Sequence, residues 1–165
     1  MTRTAYLALA AFAAAAIAFS GNACAGTTKQ APEFSVKLIP NGQTDLAAFK
    51  GRPLVLNFSA SWCPHCIHEM PALKAVSDAR KADAAFLVVF VNSPKKDVDA
   101  AVKKYGLKCA VGFDADAASG KAYGVRGIPA TFFIDKDGNI VDQAVGSLEE
   151  DELNKKVDGL VKAGG

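Results

Sequence analysis

The chain carries little net charge. Nineteen basic and 17 acidic side chains leave a formal +2 over 165 residues. No basic stripe or acidic block accompanies that balance, so nothing argues electrostatically for nucleic acid or an anionic membrane as partner. Lys95-Lys96 and Lys103-Lys104 read as solvated helix faces. Histidine is scarce as well: His65 and His68 are the two in the sequence. Cysteine is limited to Cys24, Cys63, Cys66 and Cys109. A structural zinc site needs four ligands, and Cys63-x-x-Cys66 has neither a second CxxC nor a matching histidine pair. Internal repeats are missing, and no linker marks off a second folded domain.

Long hydrophobic runs are also few. The one prominent run, Ala5 to Phe19, follows the single charge of Arg3 and spans 15 residues. That is short of the roughly 20 needed to cross a bilayer as a helix. The small residues Gly21–Ala25 come next, and the order fits a secretory signal peptide. Ala23-x-Ala25 places cleavage before Gly26. The expected division is therefore a signal peptide over 1–25 and one folded domain over 26–165. An uncleaved anchor or a lipid on Cys24 are the alternatives, although Gly21 stands where lipoprotein signals prefer a larger aliphatic residue. Each places the domain in the periplasm or another extracytoplasmic space, membrane-anchored if the segment stays. Cleavage removes Arg3, taking the net charge to +1, and Cys24, leaving three cysteines. An odd count suits one functional pair and one leftover thiol better than a disulfide-stapled scaffold.

The remaining sequence reads as alternating strands and helices. Residues 26–32 read as a flexible lead and Glu33–Ile39 as a first strand, followed by an Asn41-Gly42 turn. Asp45–Phe49 suits a single helical turn. Leu54–Phe58 and Ala85–Val91 are apolar runs of the kind found in strands buried on both faces. Between them, Cys66, Met70, Leu73 and Val76 recur at helical spacing. Pro64 fits the first turn of that helix, and Pro71 is expected to kink it. Ser93-Pro94 reads as an N-cap and first-turn proline for a helix with Val98, Ala101, Val102 and Tyr105 on one face, ended by Gly106. A short strand over Val111–Phe113 and a short helix near Ala117–Tyr123 follow. Thr131–Ile134 and Ile140–Val145 flank a hairpin turn at Asp135–Asn139. Ser147-x-x-Glu150 reads as a capping box for a last helix containing Leu153, Val157, Leu160 and Val161. The order implies an α/β fold with a central mixed sheet, helices on both faces and an N-terminal extension.

The chemistry concentrates at a strand-to-helix junction, Ser61-Trp62-Cys63-Pro64-His65-Cys66. A cysteine at a helix N-terminus meets unpaired N–H groups and the positive end of the dipole, which favour a thiolate. The thiolate is the attacking species in disulfide exchange. Cys66 lies one turn in, on the apolar face. Cys63 is thus read as the attacking thiol, Cys66 as the resolving one, and Cys63–Cys66 as the redox-active disulfide. Glu69, three residues beyond Cys66, can share its face and modulate thiol protonation, or simply face solvent. His68 reads as an exposed helix residue and Cys109 as a buried structural thiol. Phe34, Phe58, Phe86, Phe90, Phe132 and Phe133 read as core.

These motifs jointly resemble the thioredoxin-like superfamily. Trp62-Cys63-Pro64-His65-Cys66 is similar to its active site, and Gly127-Ile128-Pro129-Ala130-Thr131 to its cis-proline loop. Asn57–Cys63, Glu69-Met70-Pro71, Tyr123–Pro129, Phe132–Asp135 and Asp137-Gly138 resemble the exported TlpA/ResA/DsbE-type branch. The resemblance spans about Ala31 to Leu160. It implies a cis Pro129 beside the Cys63 sulfur, with Ile128 offering its backbone to an extended partner and Trp62 beside the site. It also implies a carboxylate-free position at Asn57, where thioredoxins carry a buried Asp. The Pro64-His65 pair resembles that of strongly oxidising DsbA proteins, and an imidazole near Cys63 would favour its thiolate. The TlpA/ResA branch commonly reduces its partners, so dipeptide and scaffold point in different directions.

The expected function is an exported thiol-disulfide oxidoreductase acting on protein thiols and disulfides, with the reductase direction leading. Apocytochrome c maturation is one service the resemblance implies. No organic cofactor is needed, because the cysteine pair holds the two electrons, and a membrane redox partner would reset it. A DsbA-like disulfide donor is the alternative. A copper-binding metallochaperone would use the soft thiolates, but the distal histidine expected of it has no counterpart beyond His68. A peroxidase on the same fold lacks its motifs here.

Overall fold

The computed structural model describes residues 29–164. The expected signal segment 1–25, with Cys24 and the Ala23-x-Ala25 cleavage site, lies outside the described residues. Eight strands are formed: β1 Lys29–Gln30, β2 Ser35–Leu38, β3 Gln43–Asp45, β4 Leu54–Ser59, β5 Ala85–Val91, β6 Ala110–Asp114, β7 Ala130–Ile134 and β8 Asn139–Val145. The helices are α1 Pro64–Ala79, α2 Lys95–Tyr105, α3 Ala118–Ala122 and α4 Glu150–Ala163, with a 3-10 turn over Leu46–Phe49.

The strands form one mixed sheet in the order β1-β8-β7-β4-β5-β6-β2-β3. The apolar runs become its centre, as expected of strands buried on both faces. β4 pairs parallel with β5, and β5 parallel with β6. β7 closes the other side of β4 antiparallel, pairing Asn57 with Thr131. Both parallel crossovers step the same way across the sheet. Right-handed connections therefore put α1 and α2 on one face. α4 joins them, and Met70, Leu73, Val76, Val98, Leu153, Val157 and Leu160 pack there against Val55, Val88 and Phe133. The opposite face is covered by α3, the 3-10 turn and the N-terminal segment. There Phe58, Tyr123 and Phe132 stack with ring centroids 5.0–5.8 Å apart, and Phe34 meets Tyr123 edge-on at 6.1 Å.

Several local expectations need correction. The lead at 26–32 is not loose over its described part: Lys29 and Gln30 pair with Ile140 and Asn139, and the Ala31 N–H donates to the Gly138 carbonyl. Gln43–Asp45 adds a polar strand with no apolar alternation to reveal it; the turn before it is closed by the Leu38 N–H on the Gly42 carbonyl. Ser93 does not cap α2. Pro94 holds the cap position without a side-chain bond. Ser147 does not form a capping box either, because α4 starts two residues later than that box requires, with Glu149 at its cap. The hydroxyls of both serines are bound elsewhere, at the active segment. α1 runs on through Pro71 to Ala79.

Candidate active site

β4 ends at Ser59, and five residues later α1 begins. Cys63 is its N-cap in extended conformation and Pro64 takes the first helical position. The Cys63 carbonyl accepts the Ile67 N–H at 3.0 Å. Its sulfur accepts the Cys66 N–H at 3.3 Å. One orphan donor of the helix end is thus pointed at the Cys63 sulfur, where it favours negative charge. Cys63 keeps 5% exposure and Cys66 none. Both are free thiols. Burial, followed by the hydrogen bond with Cys63, pushes the Cys66 thiol up to about 12. The backbone of Ala60 and the hydroxyl of Ser59 pull it partly back.

The Ile128–Pro129 bond is cis. The Ile128 carbonyl lies 3.8 Å from the Cys63 sulfur. The loop is fixed from behind just past the end of β8, where the Gly146 N–H donates to the Pro129 carbonyl at 2.8 Å. Trp62 is 61% exposed, yet its indole N–H donates to the Asn92 carbonyl at 3.0 Å. Ser93 is buried and accepts the Ser61 N–H at 3.0 Å while donating to the Val91 carbonyl. The end of β5 therefore holds the segment leading into Cys63 at two points.

Glu69 does not face solvent; it is 1% exposed. One carboxylate oxygen accepts from Asn57 Nδ2 at 3.0 Å, the other from the Leu148 N–H at 3.0 Å. Asn57 also donates to the Thr131 hydroxyl at 2.9 Å. Burial raises the Glu69 carboxyl above its ordinary range, and these two donors offset the rise in part. Ser147 donates its hydroxyl to the His65 carbonyl at 2.8 Å. The turn before α4 thus grips α1 at His65 and at Glu69.

His65 is exposed between the cysteines, and His68 is exposed 3.8 Å from Glu149. Among the described residues, no group of three His, Cys, Asp or Glu side chains is arranged to hold a metal. Cys109 is half-buried just before β6, away from the pair, and burial raises its thiol. Sequence reasoning missed the roles of Ser93, Thr131, Ser147 and the Leu148 N–H, whose partners lie far off in the chain, so that no local pattern marks them. It also missed Ser59, whose burial follows from packing.

A strand–CxxC–helix junction facing a cis-proline loop on a mixed sheet defines a thiol-disulfide oxidoreductase of thioredoxin-like fold. The comparisons agree with that class. Residues 26–160 match the family model described as Redoxin. The chain is 31% identical over 129 residues to the thiol-disulfide oxidoreductase ResA of Bacillus thuringiensis subsp. konkukian, covering 77% of this chain and 74% of that protein. It is 32% identical over 133 residues to the thioredoxin-like protein YneN of Bacillus subtilis, covering 79% and 78%. A solved secreted disulfide oxidoreductase of Mycobacterium tuberculosis, described as homologous to E. coli DsbE, superposes with a TM-score of 0.69 at 29% identity, covering 76% of this chain and 95% of that one. The chain belongs to the Redoxin family, in the TlpA/ResA/DsbE-type branch of the thioredoxin-like superfamily.

Proposed function

We propose that this oxidoreductase works outside the cytoplasm, chiefly as a reductase of disulfides in exported proteins, with Cys63 attacking and Cys66 resolving. One observation carries the reading. The Cys63 sulfur sits at the α1 N-terminus, receives the Cys66 N–H and lies beside the Ile128 carbonyl, while Cys66 is sealed beneath it. The Cys63 thiolate attacks one sulfur of the partner disulfide, and the partner's other sulfur leaves with the electron pair and takes up a proton. The Cys66 thiolate then attacks the Cys63 sulfur of the mixed disulfide, releasing the second partner thiol. Two electrons pass to the partner, and Cys63–Cys66 becomes a disulfide. Ile128 and Pro129 offer the backbone edge on which an extended partner segment docks, and the exposed Trp62 forms the opposite wall. Pro64 and His65 tune the potential, and Glu69 acts on thiol protonation from beneath. Apocytochromes c are one partner class within this reading, and a membrane redox protein resets the pair. Export rests on the 1–25 segment and on the secreted relative.

The reduction potential of the Cys63/Cys66 couple in the full chain, measured by equilibration with glutathione, tests the reading. A value near roughly −270 mV is expected for a reductase. One near roughly −120 mV would make the chain a disulfide donor tuned by His65. Finding no reversible two-electron couple would overturn the reading altogether.

A further inference from the structure

Alternate residues of β4 point to one face of the sheet. Leu54, Leu56 and Phe58 enter the core on the α3 side. Val55 enters the core beneath α1. The two residues continuing the Val55 row are polar and fully covered: Asn57, 1% exposed, and Ser59, 0% exposed. The Asn57 amide nitrogen donates to Glu69 and Thr131, while its oxygen is unpartnered. Ser59 has no such anchor. Its hydroxyl makes no formed hydrogen bond among the described residues. A buried hydroxyl without a partner costs free energy, so its position needs a reason.

Ser59 and Cys66 line the same cleft, and the Ser59 hydroxyl there eases ionisation of the Cys66 thiol. A neutral thiol is a weak acceptor, whereas a thiolate is a strong one. The missing bond is therefore one that forms only when Cys66 loses its proton. The cleft that the two residues line has a volume of about 320 Å³ and lies between α1 and α2. Met70 and Phe90 contribute apolar wall, while the exposed Asp97 and Lys104 bring the same cleft to solvent. Glu69 does not line this cleft, and its carboxylate oxygens are held by the Asn57 amide and the Leu148 N–H.

We propose that Ser59 is a catalytic residue of the resolving step: its hydroxyl donates to the Cys66 sulfur as the thiolate forms and relays the released proton into the α1–α2 cleft. The proton leaves the Cys66 sulfur for the Ser59 oxygen as the Ser59 proton passes to solvent. The Cys66 thiolate, held by the hydroxyl, attacks the Cys63 sulfur. The Cys63–partner bond breaks, the Cys63–Cys66 bond forms, and the partner thiolate takes a proton from water. Ser59 is unchanged, and the electrons go from Cys66 to the departing partner sulfur. This assignment rests on the reading that Cys63 attacks and Cys66 resolves.

Rapid mixing of the reduced full chain with an aromatic disulfide separates the two steps. One coloured thiol is released when Cys63 attacks, and a second when Cys66 displaces it. Ser59→Thr and Ser59→Val are isosteric with each other and differ only in the hydroxyl, so comparing them holds packing constant. Ser59→Val is expected to slow the second release roughly ten- to a hundredfold at neutral pH, the range for losing a hydrogen bond to a charged group. It is also expected to move that step's pH profile to higher pH and leave the first release unchanged. Ser59→Thr keeps both near the unaltered rates. Should the larger residues prevent folding, Ser59→Ala against the unaltered chain gives the same comparison. Equal second-release rates and pH profiles with and without the hydroxyl would overturn the assignment. A second release that persists in Cys66→Ala would instead overturn the order of attack beneath it.

Discussion

At the scale of single residues, the two cysteines differ through burial more than through chemistry. Cys63 keeps a sliver of surface and Cys66 has none. Cys66→Ala should therefore accumulate a stable mixed disulfide with partner or probe, detectable as an adduct by mass spectrometry. Cys63→Ala should form far less, because the remaining thiol is sealed and pushed up to about 12. Comparable adducts in both variants would reject the assigned roles. Glu69 supports a prediction on pH. Its folded-state carboxyl is raised by burial, so the native chain binds more protons than the unfolded one between the two pKa values. Stability is then highest below the unfolded value and is lost as pH rises toward the folded one. Glu69→Gln removes that titration. Its amide can still accept from Leu148, and the unpaired Asn57 Oδ1 can turn to receive its NH2. The melting temperature of Glu69→Gln should vary less over that window than that of the unaltered chain and should be higher above it. Parallel curves would show that Glu69 is not the titrating group.

At the scale of elements, helix ends decide what can be improved and what cannot. α4 begins at Glu149 with no side-chain cap. Glu149→Ser supplies one and should stabilise the fold by about 0.5–1 kcal/mol in urea unfolding. The His68 contact it removes is exposed and long at 3.8 Å, and such pairs contribute little. α2 ends at Gly106 with φ 65° and ψ 37°. A Cβ there has room, meeting only Lys74 Cε at 3.6 Å, so Gly106→Ala should cost about 1 kcal/mol through backbone conformation alone. These ends also show the limits of local reading. The Gly106 stop, the Asp135–Asn139 hairpin and the Cys63-Pro64 start were legible, because each is a short-range rule satisfied by adjacent residues. The Ser93 and Ser147 caps were misread for the opposite reason. Both serines have local capping geometry in sequence, but tertiary packing brings Ser61 and His65 to them first.

At the scale of the whole molecule, the sheet separates the redox site from the N-terminal hairpin. β4 and β7 carry the site, while β2 and β3 lie at the far edge beyond β5 and β6. The β2–β6 pairing depends on Gly112, where a Cβ would lie 2.8 Å from Val36 Cγ2. Gly112→Ala should destabilise the protein by about 1–3 kcal/mol, the usual range for overpacking, and leave the Cys63/Cys66 potential unchanged. A shifted potential would show that the hairpin and the site are coupled.

By itself, the sequence singled out the Cys63/Cys66 pair, the buried central strands and the junction that joins them. Those follow from hydrophobic period and from the chemistry of neighbouring residues, which act over a few positions. Only the tertiary structure decided that Glu69 is buried, that Leu148 and Asn57 hold it, and that Ser59, its hydroxyl buried without a formed bond, lines one cleft with Cys66. Burial and hydrogen-bond partnership depend on which distant segments pack together. Seventy-nine residues separate Glu69 from Leu148, and no pattern within one helix or strand encodes that meeting.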